Sequence, residues 1–162
     1  MKVLILVRHA KSSWDEPVSD FDRTLNSRGK EDAPKMAQRL LERKINVDAF
    51  ISSPAKRARK TASLFIKEYG RSKEEIIMVP DLYHPAYEAF YEAIKQAPAT
   101  AGTLAIFSHN PGVTEFANSL TNVRVDDMPT CAMFAIQADV GDWSQFRDAE
   151  KQFWFFDYPK AV

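Results

Sequence analysis

The amino-acid sequence predicts an α/β fold, a three-layer sandwich with a mostly parallel central sheet and helices on both faces. Short, continuous apolar runs alternate with stretches of helical period along most of the chain, the signature of strand–helix–strand units. Near the end, two apolar runs follow one another with no clear helix between them, so the sheet should be mixed at one edge. A chain of 162 residues with 45% hydrophobic content suits a single domain spanning 1–162 with a substantial core.

The elements follow in order. Val3 to Val7 is short, continuous and rich in branched residues, as a fully buried strand requires. Lys11 to Asn26 is polar, carries Pro17, and reads as a long loop. From Asp32 to Lys44 the apolar positions Ala33, Met36, Ala37, Leu40 and Leu41 form a helical stripe. Ala49-Phe50-Ile51 is a second strand. Ser52-Ser53-Pro54 is a helix-start signal, serine as cap and proline in the first turn. The helix beyond presents Ala58, Ala62, Phe65, Ile66 and Tyr69 on one face and ends at Gly70. Ile76 to Val79 is a third strand, Tyr87 to Ala97 a helix stopped by Pro98, and Thr103 to Phe107 a fourth strand. Pro111-Gly112 opens a helix bearing Val113, Phe116, Ala117 and Leu120. Ala132 to Ile136 and Phe153 to Phe156 are the late strands. Trp143, Phe146 and Trp154 are expected in the core rather than at an interface.

Composition excludes several classes. Twenty-two basic and 22 acidic residues cancel, so bulk charge gives no reason to expect nucleic acid or a membrane surface as partner. The single cysteine, Cys131, allows no intrachain disulfide and no cysteine-rich zinc site, which fits a reducing compartment. No run approaches the ~20 apolar residues of a membrane span. A cytoplasmic protein is the expectation. The five glycines form no phosphate-cradling loop, and the histidines lack metal-ligand spacing; neither a metal nor another cofactor is expected.

In a parallel sheet, ligands bind at the carboxyl ends of the strands. Three predicted strands end in reactive residues. The first ends in Arg8-His9, the second leads to Ser53-Pro54 with Arg57 one turn on, and the fourth ends in Ser108-His109-Asn110. Parallel strands would gather two imidazoles and two guanidiniums on one rim. A transferring phosphoryl group spreads negative charge over its equatorial oxygens. Guanidinium forks match those oxygens, and a helix N-terminus adds backbone donors. A histidine nitrogen can carry the group covalently. Each feature alone has an ordinary explanation: an Arg-His pair is commonly a loop detail, and Lys56-Arg57-Arg59-Lys60 by itself is a solvated helix face. Their joint occurrence at three strand ends makes the chemistry.

The same residues carry a family resemblance. Leu6-Val7-Arg8-His9-Ala10-Lys11-Ser12, then Asp22-Arg23-Thr24-Leu25 with Arg28-Gly29, then Ser53-Pro54 with Arg57 and Thr61-Ala62, then Ser108-His109-Asn110-Pro111-Gly112 resemble, in order, four blocks of the histidine phosphatase superfamily, the phosphoglycerate mutase-like fold. Short length and the His-Asn-Pro-Gly block resemble its SixA-type phosphohistidine phosphatases. The resemblance implies His9 as nucleophile and Arg8, Arg57 and His109 as the phosphate pocket, with Ser12 and Asp15 as further substrate contacts. Two positions depart from the pattern: Ala10 stands where glycine is usual, and Lys60 where glutamine is usual.

Three rivals can be weighed. Asp20-Phe21-Asp22-Arg23-Thr24 resembles the D-x-D-x-T motif of haloacid dehalogenase-type phosphatases, which would make Asp20 a Mg²⁺-dependent nucleophile; yet a loop, Asp15 to Ser19, precedes it where a buried strand is needed. A cysteine phosphatase needs arginine six positions after its cysteine, and Cys131 has Gln137 there. A non-catalytic module that binds phosphoproteins is the third.

The substrate is argued from the leaving group. Alcohols need a proton donor to depart. Relatives in this family place a glutamate after the third strand, whereas this chain offers only Asp81, Glu88 and His84 there, none in a recognisable acid motif. Imidazole, with a conjugate-acid pKa of ~6.5, departs with little help. A missing acid and a short connection therefore point to phosphohistidine on a protein, with a small phosphomonoester using one of those three acids as the alternative.

Overall fold

The computed structural model describes residues 1–161. Six strands form one sheet in the order β3-β2-β4-β1-β5-β6. In chain order the elements are β1 (Lys2–Arg8), α1 (Ser27–Glu42), β2 (Ala49–Ser52), α2 (Lys56–Glu68), β3 (Ile77–Met78), α3 (Tyr87–Lys95), β4 (Thr103–Ser108), α4 (Gly112–Leu120), β5 (Met133–Ala138) and β6 (Lys151–Asp157). β3, β2, β4 and β1 run parallel. β5 and β6 are antiparallel, so the sheet is mixed at the edge where the two late strands lack a crossover helix. No helix among the described residues is long and apolar enough to cross a membrane.

Strand alternation builds the three layers. From β1, Leu4 and Leu6 join Phe90 of α3, Phe116 of α4, Trp143 and Phe146 in one buried cluster. Ile5 and Val7 join Met36 of α1 and Phe65 of α2 in the other. A strand buried on both faces has to be apolar throughout, which is why β1 shows no alternation in sequence. Trp143 and Phe146 are core residues, as expected, carried on a 3₁₀ segment over Trp143–Asp148 that sequence periodicity did not reveal. Trp154 is 38% exposed and contradicts the core expectation.

Three boundaries differ from the sequence reading. α1 begins at Ser27, five residues before its apolar stripe, and Asn26 caps it by accepting the Gly29 N–H at 2.9 Å. Its polar first turn lies against the chain just after His9: a Cβ on Gly29 would fall 2.2 Å from the Lys11 carbonyl oxygen. The α2 cap is Ala55, with no side-chain hydrogen bond; neither Ser52 nor Ser53 caps it. β3 is two residues long and pairs only with β2, an edge position that needs little of the apolar run Ile76–Val79. The Lys11–Asn26 loop is partly ordered as a strap. Ser12 bridges Leu25, and a 3₁₀ turn spans Asp20–Asp22.

Candidate active site

The parallel register sets the site. Arg8 stands level with Ser108, and Ser52 with Phe107, so β1, β2 and β4 end together on one rim. The residues that follow, His9, Ser53 and His109, are buried there. The backbone past His9 is clamped from two sides. The Ala10 N–H donates to Thr61 Oγ1 at 2.9 Å, and the Thr61 hydroxyl donates to the Arg57 carbonyl at 2.8 Å. The Cys131 N–H donates to the carbonyls of Arg8 and His9. Cys131 is buried in the turn just before β5, and burial raises its thiol pKa, so it stays an inert thiol.

His9 is set up as a neutral base with one free nitrogen. Its Nδ1 lies 2.8 Å from the Ala10 carbonyl oxygen, which can only accept, so Nδ1 carries the proton. Nε2 therefore keeps its lone pair and accepts from Arg57 Nε at 3.3 Å. Burial pushes the His9 pKa down to about 3, helped by the charges of Arg57, Arg8 and Arg23 and opposed by the Ala10 hydrogen bond. His109 lies beside it, ring centroids 5.1 Å apart. Its Nε2 is 2.8 Å from Ser53 Oγ, while Nδ1 is buried with no partner in the chain. Burial, then the neighbouring His9 and Arg57, push its pKa to about 2.

The cations are anchored but not exhausted. Arg8 donates from Nη1 to the Met128 carbonyl at 2.8 Å, and its buried Nε has no partner. Arg57 donates to the Asp20 carbonyl oxygen at 2.6 Å and to Asp20 Oδ2 at 3.1 Å. Asp20 also accepts from Arg23 Nε at 3.1 Å and from the Tyr83 hydroxyl at 2.6 Å. These donors, Tyr83 foremost, hold its carboxyl at about 2. Five guanidinium N–H groups are available per arginine, so both arginines retain donors for an anion. Orphaned nitrogens and spare guanidinium donors around one recess suit an oxyanion with several acceptor oxygens.

The recess has a volume of about 580 Å³ and is lined by Arg8, His9, Arg57 and His109 together with residues of the strap. Of the other residues singled out in the sequence, Ser12 lines it and takes a hydrogen bond from Arg23 Nη1. Asp15 lies exposed at its wall. His84 also lines it, with a φ of +56°, a conformation uncommon outside glycine. Asp81 is exposed and does not line the recess. Glu88 is turned to Arg147, 2.8 Å away, and is not in the lining either. Asp20 starts a 3₁₀ turn inside the strap and follows no strand; its carboxylate is a counter-ion to Arg57 and Arg23. No cluster of three or more potential metal ligands exists among the described residues.

Sequence reasoning missed two members of the site. Arg23 lines the recess and stacks on exposed Trp14, its guanidinium carbon 3.5 Å from the ring centroid. Tyr83 reaches Asp20 across 63 residues. The Asp22-Arg23-Thr24-Leu25 block was a usable signal for Arg23; nothing local marks Tyr83. A larger groove of about 670 Å³ lies across the strap and contains none of the histidines. Size alone would have selected it, but the convergent titratable groups identify the smaller recess.

Comparisons with known proteins bear on the family and the fold. Residues 4–100 match the model of the histidine phosphatase superfamily, branch 1. An uncharacterized chloroplastic protein of Arabidopsis thaliana is 31% identical over 151 residues, covering 88% of this chain and 69% of that protein. An uncharacterized protein of Mycobacterium tuberculosis is 31% identical over 122 residues, 75% of this chain and 73% of its own. Among solved structures, the protein histidine phosphatase SixA complexed with tungstate superposes with a TM-score of 0.82 at 18% identity, covering 97% of each chain. SixA from Agrobacterium tumefaciens gives 0.79 at 23% identity over 98% of each. With a matching family model over most of its length and the same fold in its structural neighbours, the chain belongs to the histidine phosphatase superfamily, branch 1.

Proposed function

We propose that the chain hydrolyses a phosphoryl group through a covalent phosphohistidine on His9, and that its substrate is phosphohistidine on a protein. The observation that carries the first half is the state of His9. A proton held on Nδ1 by the Ala10 carbonyl leaves Nε2 as a lone pair in a cationic recess.

The Nε2 lone pair attacks phosphorus, and the bond from phosphorus to the leaving atom breaks with its electron pair going to the leaving group. The positive charge that develops on the His9 ring is met by the Ala10 carbonyl oxygen at Nδ1. Arg8, Arg57 and Arg23 bring donors to the equatorial oxygens, where preorganised charge lowers the barrier most. His109 is held neutral first by burial and then by the neighbouring His9 and Arg57; an incoming dianion opposes both, so His109 can bind a proton and donate to the same oxygens. Water then attacks the phosphorylated His9, releasing inorganic phosphate and regenerating Nε2.

The substrate half rests on the acids. Asp81 and Glu88 lie outside the recess. A phosphohistidine protonated on its other ring nitrogen releases neutral imidazole, whose conjugate acid has a pKa of ~6.5, and needs no donor. The protein histidine phosphatase SixA shares this fold, which supports the same reading. We infer a cytoplasmic setting from the single buried thiol, which fits a reducing compartment.

A small-molecule phosphomonoesterase is the second reading, favoured only by His84, which does line the recess. Turnover of a phosphohistidine peptide against a panel of alkyl phosphates separates the two. Efficient cleavage of the peptide with slow alkyl hydrolysis supports the proposal, and the reverse ranking refutes it. Turnover of any phosphoester also excludes a purely phosphoprotein-binding module.

A further inference from the structure

The groove across the strap has a composition that the reaction does not require. Lys30, Lys56, Arg59, Lys60 and Lys73 line it, against Glu16 and Glu74. In a chain whose formal net charge is zero, that is a pronounced local excess. All five cations are exposed, and among the described residues none of their side chains enters an ion pair. Of the two carboxylates, Glu16 already accepts from the Thr24 hydroxyl and Glu74 from Ser72.

The floor is apolar. Leu25 and Ile76 are buried beneath the cations, and Met78 is 38% exposed. A solvated helix face explains Arg59 and Lys60 on α2 alone. It does not explain why cations from α1, α2 and the Lys73–Glu75 turn converge over a partly exposed hydrophobic floor. The groove also shares a wall with the recess. Asp15 and Arg23 face the recess while their neighbours Glu16 and Thr24 face the groove, and Lys56 precedes Arg57.

We propose that this groove docks an acidic segment, with interspersed apolar side chains, of the phosphorylated protein whose phosphoryl group enters the recess. The inference rests on the protein-substrate reading above. Carboxylates of the segment neutralise the lysines and Arg59, and its apolar side chains cover Leu25, Ile76 and Met78. Opposite-charge complementarity of this kind raises association rate and selects partners more than it adds affinity.

The test uses two synthetic phosphohistidine peptides of roughly twelve residues, ~40 Å when extended. One is flanked by Glu, Asp and Leu, the other by Gln and Leu. At ~20 mM salt the acidic peptide should have a kcat/KM about tenfold higher, and the advantage should vanish at ~0.5 M, where exposed charges are screened within ~4 Å. The R59E/K60E/K73E variant should lose the advantage while hydrolysing p-nitrophenyl phosphate like the unaltered protein. Equal kcat/KM at low salt, or an advantage that survives the triple charge reversal, overturns the proposal.

A second arm needs no chemistry: fluorescence anisotropy of the labelled, unphosphorylated acidic peptide. Binding to the unaltered protein that is lost in the variant supports docking even if phosphohistidine proves not to be the substrate. No binding, or tighter binding of a single-stranded RNA oligonucleotide or of phosphatidylglycerol vesicles, overturns it. If both phosphopeptides resist cleavage while p-nitrophenyl phosphate is hydrolysed, the phosphohistidine reading fails and the anisotropy alone decides the groove.

Discussion

Arg57 and Arg59 sit two residues apart on one basic helix, and replacing each with alanine should have very different consequences for a small substrate. Arg57 is 5% exposed, with its Nε 3.3 Å from His9 Nε2 and its two terminal nitrogens on Asp20. Arg59 is about 200° further round the helix, at ~100° per residue, and is exposed toward the groove. Removing a charge-assisted donor from a transferring phosphoryl group costs about 3 kcal/mol, a hundredfold or more in rate. Arg57→Ala additionally leaves Asp20 with one fewer cation facing the incoming dianion. The assay is steady-state hydrolysis of p-nitrophenyl phosphate at low salt. An interaction made chiefly in the transition state lowers kcat and kcat/KM together, so Arg57→Ala should depress both by at least ~100-fold. Arg57→Lys should recover only part, because a point charge cannot replace a fork. Arg59→Ala should stay within about twofold, as a solvated arginine does. Equal losses for Arg57→Ala and Arg59→Ala would refute the placement of the phosphate.

Three further outcomes follow from the same geometry. Rates across aryl and alkyl phosphates should fall steeply with leaving-group pKa when the first phosphoryl transfer is limiting, and Asp81→Asn and Glu88→Gln should leave phosphohistidine cleavage unchanged; a flat plot with good alkyl turnover would expose an acid in the recess, His84 first among the candidates. Activity should survive exhaustive chelation because the recess supplies its own positive charge, and Asp20→Asn should retain turnover; loss in both cases, restored by Mg²⁺ in the first, would reinstate Asp20 as nucleophile. Chemical denaturation should show stability falling as pH drops from about 6.5 toward about 3, since His9 and His109 are held neutral in the fold at about 3 and about 2 while the unfolded chain binds their protons. The slope should approach ~1.4 kcal/mol per pH unit for each histidine over that window. His109→Asn should flatten it, and an unchanged slope would contradict the burial of both rings as neutral groups.

The sheet was legible because its signals are local. β1 and β4 are short apolar runs flanked by polar residues, and strands buried on both faces cannot look otherwise. The residues that follow them, His9 and His109, inherit their position from that, so the two imidazoles of the recess are legible from the strand ends alone. What escaped notice was set by tertiary context. The first turn of α1 packs on the backbone after His9 through Gly29, so it needs no apolar stripe and showed none. β3 at the edge keeps only two paired residues. Tyr83 enters the site through a contact across 63 positions, and Arg23 through a strap that lacks regular structure over most of its length. Asp20 was visible as part of a motif, but only the ion pairs with Arg57 and Arg23 reveal what its charge does.

The central claim is that the phosphoryl group passes through His9. Rapid quenching at alkaline pH with ³²P-labelled substrate, followed by proteolysis and mass spectrometry, tests it most directly. The label should be alkali-stable and acid-labile, reside on the peptide containing His9, and be absent from His9→Ala, which should also lack turnover. Label on Asp20, or a His9→Ala variant that hydrolyses substrate near the unaltered rate, would contradict the account.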